Sequence, residues 1–395
     1  MIIQGKLDES ALPLQVTLRN GFISSVELNS LRFLHPHHIA DFLLPPMFDP
    51  QINGAKGVSF TQADSNEHYN MVLDEAWGHG VGGFLATCIT SKYSDLMQAL
   101  KALARWRESS REVSYAVPGI HLEGPGISPL DGYRGAHSAA AVRPWTLYEY
   151  KQAQQSAKGA IRMVTLAPEV TGNLAVIPAM IADGVVVALG HTAAPSDILK
   201  RAIDLGASLF THWGNGVAHS IDRHENPLWL ALGENQLALS LIADGHHLPD
   251  PVLRVALLCK VSRKVVLTSD TSPLAGLPIG RYEIWGNWVD VTPEGKLMVA
   301  GTHYLAGSSS WLDKCVLRVR SIDGLFENGI LKPVDAWRMA GENIRKMLGF
   351  SAWTLQPGMV ADFLLVNGPT IAKARIYGCI SCGVFHPYAS TLAVV

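Results

Sequence analysis

Eight short stretches rich in Val, Ile, Leu and Ala recur along the chain, and each runs into a polar or small-residue turn: 42–54 (FLLPPMFDPQING), 82–90, 115–124, 161–169, 185–192, 207–216, 237–245 and 264–270. The runs are continuous rather than alternating, as in strands buried on both faces of a parallel sheet. Between them the pattern predicts helices near 67–79, 93–107, 145–157, 196–205, 250–260 and 311–321, with Glu67 and Asp197 near helix starts, where the helix dipole favours acids. Strand alternating with helix through eight rounds predicts a closed (β/α)8 TIM barrel of the α/β class. An open doubly wound sheet is the alternative, but it more often carries a glycine-rich phosphate loop, and neither G-x-G-x-x-G nor G-x-x-x-x-G-K-[ST] is present.

The ends of the chain follow another pattern. LQVTLRNGFISSVEL reads as two strands around the Asn20-Gly21 turn, and ADFLLVNG follows Gln356-Pro357-Gly358 near the C-terminus. Residues 1–44 and 355–395 are therefore expected to form a small β-sandwich domain built from both termini. Residues 45–354 would be the barrel, with 281–301 as a β-hairpin insertion carrying Trp285 and Trp288.

Composition narrows the function. The 395 residues suffice for a barrel plus a small module, and 48% are hydrophobic. Charged residues make up 17% at a net charge of −2, with no clustered Lys and Arg of the kind nucleic-acid binding requires. No apolar run approaches the roughly 18 residues of a membrane helix, and MIIQGKLDES lacks the basic start and apolar core of a secretory signal. Five scattered cysteines, an odd number, do not form a disulfide framework and point to the reducing cytoplasm. Cys379 and Cys382 form a C-x-x-C without a second pair to complete a zinc site, and read as incidental thiols.

In such a barrel the carboxyl ends of the strands converge on one mouth. There the sequence places Gln51 and Asn53, then His121 and Glu123, His191, His212, Asp244 with His246 and His247, and Asp270. Any one of these alone reads as a structural hydrogen-bonder or a helix cap. Glu123, His191, His212 and Asp270 together read as chemistry. One carboxylate and two imidazoles leave an open coordination position, the arrangement of a catalytic metal, at which water becomes acidic enough to attack near neutral pH. Asp270 is placed to move that water's proton to a departing nitrogen.

At these residues the sequence resembles the N-acetylglucosamine-6-phosphate deacetylases of the amidohydrolase superfamily. The resemblance is carried by DPQINGAKGVSF (49–60), HLEGP (121–125), GHT (190–192), THWGNG (211–216), IADGHH (242–247), LTSD (267–270), LAGSS (305–309) and ADFLLV (361–366). It implies hydrolysis of the N-acetyl group of an amino sugar phosphate. Glu123, His191 and His212 match the metal ligands, Asp270 the catalytic acid/base, and His137 in RGAHS a histidine that polarises the substrate carbonyl. His247 is similar to a sugar or phosphate contact, and Asn215 and Gly216 lie where backbone and amide groups meet substrate. Many amidohydrolases bind a second metal through an H-x-H pair at the positions of Gln51 and Asn53. Neutral amides are poor ligands beside imidazole and carboxylate, so one divalent ion per chain is expected, zinc or another first-row metal, with Gln51 hydrogen-bonding at the site.

The loop WGNGVAHSIDRHENPLW departs from the family pattern. Arg223 stands where a phosphate-gripping arginine is expected, with His219 and His224 as further anion contacts. The resemblance further implies a homodimer. Two other readings stay open on the residue set alone: a related hydrolase for a cyclic amide or a different N-acyl substrate, and a barrel that binds sugar phosphate without catalysis.

Overall fold

The computed structural model describes residues 1–28 and 35–389; residues 29–34 and 390–395, which fall within the expected terminal module, lie outside the described residues. Eight parallel strands follow one another in chain order: Met47–Ile52, Val81–Ile89, Gly119–Glu123, Ile161–Leu166, Val186–Leu189, Leu209–Phe210, Ala238–Leu241 and Val265–Leu267. Nearly every position in them is buried, which is why the sequence shows unbroken apolar runs rather than alternation. A bridge between Ile52 and Thr271 joins the first strand to the end of the eighth, so the sheet is a (β/α)8 barrel. Phe48, Leu85, Met163, Ala188 and Val266 fill its lower interior, and Ile344 and Leu348 plug that end.

The predicted helices appear at Asn66–Gly78, Tyr93–Arg107, Leu147–Ser156, Ser196–Asp204, Asp250–Cys259 and Leu312–Arg320. Ser65 and Thr146 cap two of them, accepting from the backbone N–H groups of His68 and Glu149. Asn173–Ala182 and Pro227–Gly233 are additional helices that the sequence reading missed. The first is apolar after Asn173 and carries Pro178 inside, and the second spans only seven residues, so neither shows a clear amphipathic period. The run 42–54 is also corrected: Leu44 ends a strand of the terminal module, Pro45 and Pro46 interrupt the ladder, and the barrel begins at Met47.

Seven strands from both termini form the second domain, in the spatial order Val384–Pro387, Arg375–Ser381, Phe363–Asn367, His38–Leu44, Ile2–Lys6, Leu14–Arg19, Phe22–Leu28. The sheet curls on itself into a β-sandwich around Ile3, Val16, Leu43, Phe363 and Ile380. Its two turns meet at Gly21 and Gly383, where a side chain on Gly383 would come within 2.6 Å of the Gly21 backbone. Cys382 sits in that turn and Cys379 in the strand before it; both are buried free thiols, and burial pushes the Cys382 thiol up to about 12. The expected hairpin insertion is a three-stranded sheet, Gly280–Ile284, Asn287–Val291 and Leu297–Val299. Among the described residues no helix is long and apolar enough to cross a membrane.

Candidate metal centre

Glu123 ends the third barrel strand, and His191, His212 and Asp270 stand just beyond the fifth, sixth and eighth. These last three adopt left-handed backbone, with φ of 50°, 29° and 53°. Non-glycine residues rarely adopt it, and strain of this kind gathers where a fold must aim a side chain. The local backbone thus turns each side chain inward at the point where its strand ends.

One ligand atom from each of Glu123, His191 and His212 lies within 4.8 Å of the others. Glu123 Oε1 is 2.8 Å from His212 Nε2 and 3.3 Å from His191 Nε2. His191 Nδ1 lies 2.8 Å from the carbonyl oxygen of Tyr133, which can only accept, so Nδ1 carries a proton. In the neutral ring Nε2 then aims a lone pair at a carboxylate oxygen. That pairing is repulsive unless a cation lies between them, so the donor set fits a divalent metal. Burial opposes ionisation of Glu123, but the imidazoles of His191 and His212 beside it outweigh it and hold the carboxyl well below its usual range. Burial likewise opposes charge on His212, and Glu123 reverses the direction and raises it.

Gln51 and Asn53 bind the acids as donors. Gln51 Nε2 donates to Glu123 Oε1 at 2.9 Å and to Asp270 Oδ1 at 2.8 Å, and Asn53 Nδ2 donates to the same Asp270 oxygen at 2.7 Å. Both amides therefore converge on Oδ1 and leave Oδ2 without a protein donor among the described residues. Burial, followed by the charge of Glu123, pushes the Asp270 carboxyl up to about 6. His137 lies on the opposite side of Glu123, with Nε2 3.6 Å from Oε2 and Nδ1 2.9 Å from Thr90 Oγ1. Burial, then the neighbouring His191, drives it down to about 3, so its ring is neutral.

These groups open into one cavity of about 480 Å³, which Asn215, Gly216, His219, His246 and His247 also line. Gly216 is required where it stands: φ is 62° and a Cβ would lie 2.9 Å from His191 Nδ1. His247 Nδ1 donates to Asp244 Oδ2 at 2.8 Å. Burial works against ionised Asp244, yet hydrogen bonds from His247 and the backbone of His246 hold its carboxyl below the ordinary range. Arg223 and His224 are exposed and stand outside the cavity wall. His121 does not join the cluster; its Nε2 lies 2.8 Å from Thr165 Oγ1 in a buried layer beneath it.

Sequence reading overlooked several supports. Asp49, from the same DPQ run as Gln51, accepts from Thr268 Oγ1 at 2.7 Å and from the Ser269 backbone at 3.1 Å, tying the first strand to the eighth below the site. Ser240 Oγ accepts from the His212 backbone at 2.6 Å. Ser308, in LAGSS, donates to Asp244 at 3.1 Å, and its N–H bonds the Asp270 carbonyl. LAGSS was visible as a motif; its role as a wedge between two strand ends was not.

No family model matches the chain. Among curated proteins it is 32% identical over 329 residues to N-acetylglucosamine-6-phosphate deacetylase of Bacillus subtilis, covering 82% of this chain and 80% of that protein. It is 30% identical over 370 residues to N-acetylgalactosamine-6-phosphate deacetylase of Escherichia coli, covering 92% of each. Among solved structures, N-acetyl-D-glucosamine-6-phosphate deacetylase of Mycobacterium smegmatis aligns with a TM-score of 0.85 at 26% identity, over 98% of this chain and 99% of that one.

Proposed function

The chain belongs to the N-acetylglucosamine-6-phosphate deacetylase family of the amidohydrolase superfamily, and from that premise we propose that it hydrolyses the N-acetyl group of an amino sugar 6-phosphate. The observation that carries the reading is the meeting of Glu123, His191 and His212 within 4.8 Å, with Asp270 tied to Glu123 through Gln51.

In this reading Glu123, His191 and His212 would hold one divalent ion. Such an ion supplies Lewis acidity and makes water a nucleophile near neutral pH. Zinc suits one carboxylate and two imidazoles, as do other first-row metals. Gln51 and Asn53 are spent as donors to carboxylates, which supports a single ion. The neutral His137 donates to the substrate carbonyl oxygen as charge builds on it. Asp270 Oδ2 takes a proton from the attacking water and returns it to the amide nitrogen as the C–N bond breaks, giving acetate and the free amine.

Asn215 and Gly216 are assigned to the sugar and His247 to the phosphate, with Asp244 orienting the imidazole. Arg223 is exposed and is not among the residues that line the cavity. The same resemblance supports a homodimer, and the scattered cysteines a cytoplasmic location.

Acetate release tests the reading. The metal-loaded protein should release acetate from N-acetylglucosamine 6-phosphate or N-acetylgalactosamine 6-phosphate, and turn over hydantoins, dihydropyrimidines and N-acetyl amino acids far more slowly. A reversed order of activity would favour the related-amide alternative, and binding without any hydrolysis would favour the non-catalytic barrel.

A further inference from the structure

The three-stranded insertion after the eighth barrel strand reaches the active cavity through its hairpin tip. Ile284 pairs with Asn287, so Trp285 and Gly286 form a two-residue turn, with φ of 55° and 78°. Turns of this type favour Asn-Gly, since both residues need left-handed backbone. A bulky aromatic residue at the first position is a conformational outlier.

The tip is held on two sides. Trp285 Nε1 lies 3.4 Å from Ser59 Oγ, and Asn287 Nδ2 donates to the carbonyl oxygen of Ala136 at 2.8 Å. Ala136 immediately precedes His137, and Trp285 lines the same cavity as His137 and Glu123. Ile89, also in that wall, precedes Thr90, the partner of His137 Nδ1. On the His137 side Ile89, Ala136 and Trp285 give the wall an apolar surface, and His219, His246 and His247 line the same cavity.

The scissile carbonyl carbon carries three substituents. Its oxygen belongs beside His137, and its nitrogen, with the sugar attached, within reach of Asp270. The remaining substituent is the alkyl part of the acyl group, and the wall beside His137 offers it an apolar surface. We propose that Trp285 is a specificity-determining residue that closes the acyl end of the cavity and restricts the enzyme to short N-acyl groups. The inference rests on the deacetylase reading above and adds which part of the chain sets acyl size.

The test uses metal-loaded full-length protein and a series of N-acetyl, N-propionyl and N-butyryl amino sugar 6-phosphates. Wild type should lose activity steeply along the series. Trp285→Ala should raise the butyryl-to-acetyl ratio of kcat/KM by at least about 10-fold, because each methylene in an apolar pocket discriminates by roughly 10–200-fold. Trp285→Phe should keep the short-chain preference. Asn287→Ala, which loosens the His137 segment but leaves the indole, should lower kcat for all three substrates and leave the ratio unchanged. An unchanged ratio in Trp285→Ala, or a uniform loss like that of Asn287→Ala, would overturn the proposal and leave Trp285 a purely structural tip. If wild type releases no carboxylate from any member of the series, the deacetylase reading itself fails; an intact acetyl activity with an unmoved ratio sinks only the role of Trp285.

Discussion

Gln51 donates a hydrogen bond to Asp270 across 2.8 Å, and the same nitrogen reaches Glu123 at 2.9 Å. One neutral amide thus spaces two buried carboxylates, one assigned to metal binding and the other to proton transfer. Gln51→Ala removes the spacer and leaves both acids less well oriented. Loss of a group that orients ligands typically costs about 10–100-fold in metal affinity or activity. Metal titration and steady-state kinetics on the variant should show a drop of that order, with an unchanged circular dichroism spectrum; kinetics and affinity equal to wild type would show that the bridge is idle.

Asp270→Asn keeps the shape of the side chain and removes its capacity to accept a proton. Turnover should fall by about 10²–10⁴-fold, the range for a lost general acid–base, while bound metal stays near wild type. Near-normal turnover would strip Asp270 of the role assigned to it.

Chelation should abolish hydrolysis, and a divalent ion should restore it. A ligand that binds only the folded state also stabilises it, by about 2.7 kcal/mol when present at 100 times its Kd. The metal-free protein should therefore melt lower, and Glu123→Gln should lose most of the difference between metal-loaded and metal-free Tm. Activity that persists through exhaustive chelation would refute the metal reading.

His247 is oriented by Asp244, which it meets at 2.8 Å. Asp244→Asn should loosen the orientation of the imidazole and raise KM for a 6-phosphate substrate more than for its dephosphorylated counterpart. His247→Gln should do the same. Equal effects on the two substrates would move His247 away from the phosphate.

Asp362 lies at the joint between the domains and is buried, with Tyr115 donating to Oδ2 at 3.0 Å and Oδ1 without a hydrogen-bond partner among the described residues. Burial pushes its carboxyl up to about 6. The folded state therefore holds this proton at pH values where the unfolded chain has lost it. The group's relative stabilisation is present below about pH 4 and is lost as pH rises to about 6. A shift of this size corresponds to about 3 kcal/mol. Asp362→Asn should leave Tm little changed at pH 4.5 and raise it at pH 7.5, read as the difference from wild type at fixed metal. A difference that does not vary with pH would contradict this account.

Much of the architecture was legible in the residues because it follows from local chemistry. Strands buried on both faces must be continuously apolar, so all eight barrel runs were visible, as was the Asn20-Gly21 turn. Where local signals conflict, the reading failed. Pro45 and Pro46 split the single apolar run 42–54 into two strands of different sheets, and the helix around Pro178 had no amphipathic stripe to betray it.

The order Glu123, His191, His212, Asp270, each at the end of a strand, was set by sequence, because barrel topology sends every strand end to one mouth. Only the folded chain decided what those groups do to one another. Gln51 bridges two acids that lie 72 and 219 residues away, Ser308 wedges between Asp244 and Asp270, and Arg223 stays outside the cavity while Trp285 enters it. Such relations depend on distances of about 3 Å between segments remote in sequence, the range in which hydrogen bonds form. Residue types and spacing determine which groups reach the barrel mouth, but loop packing fixes their separations.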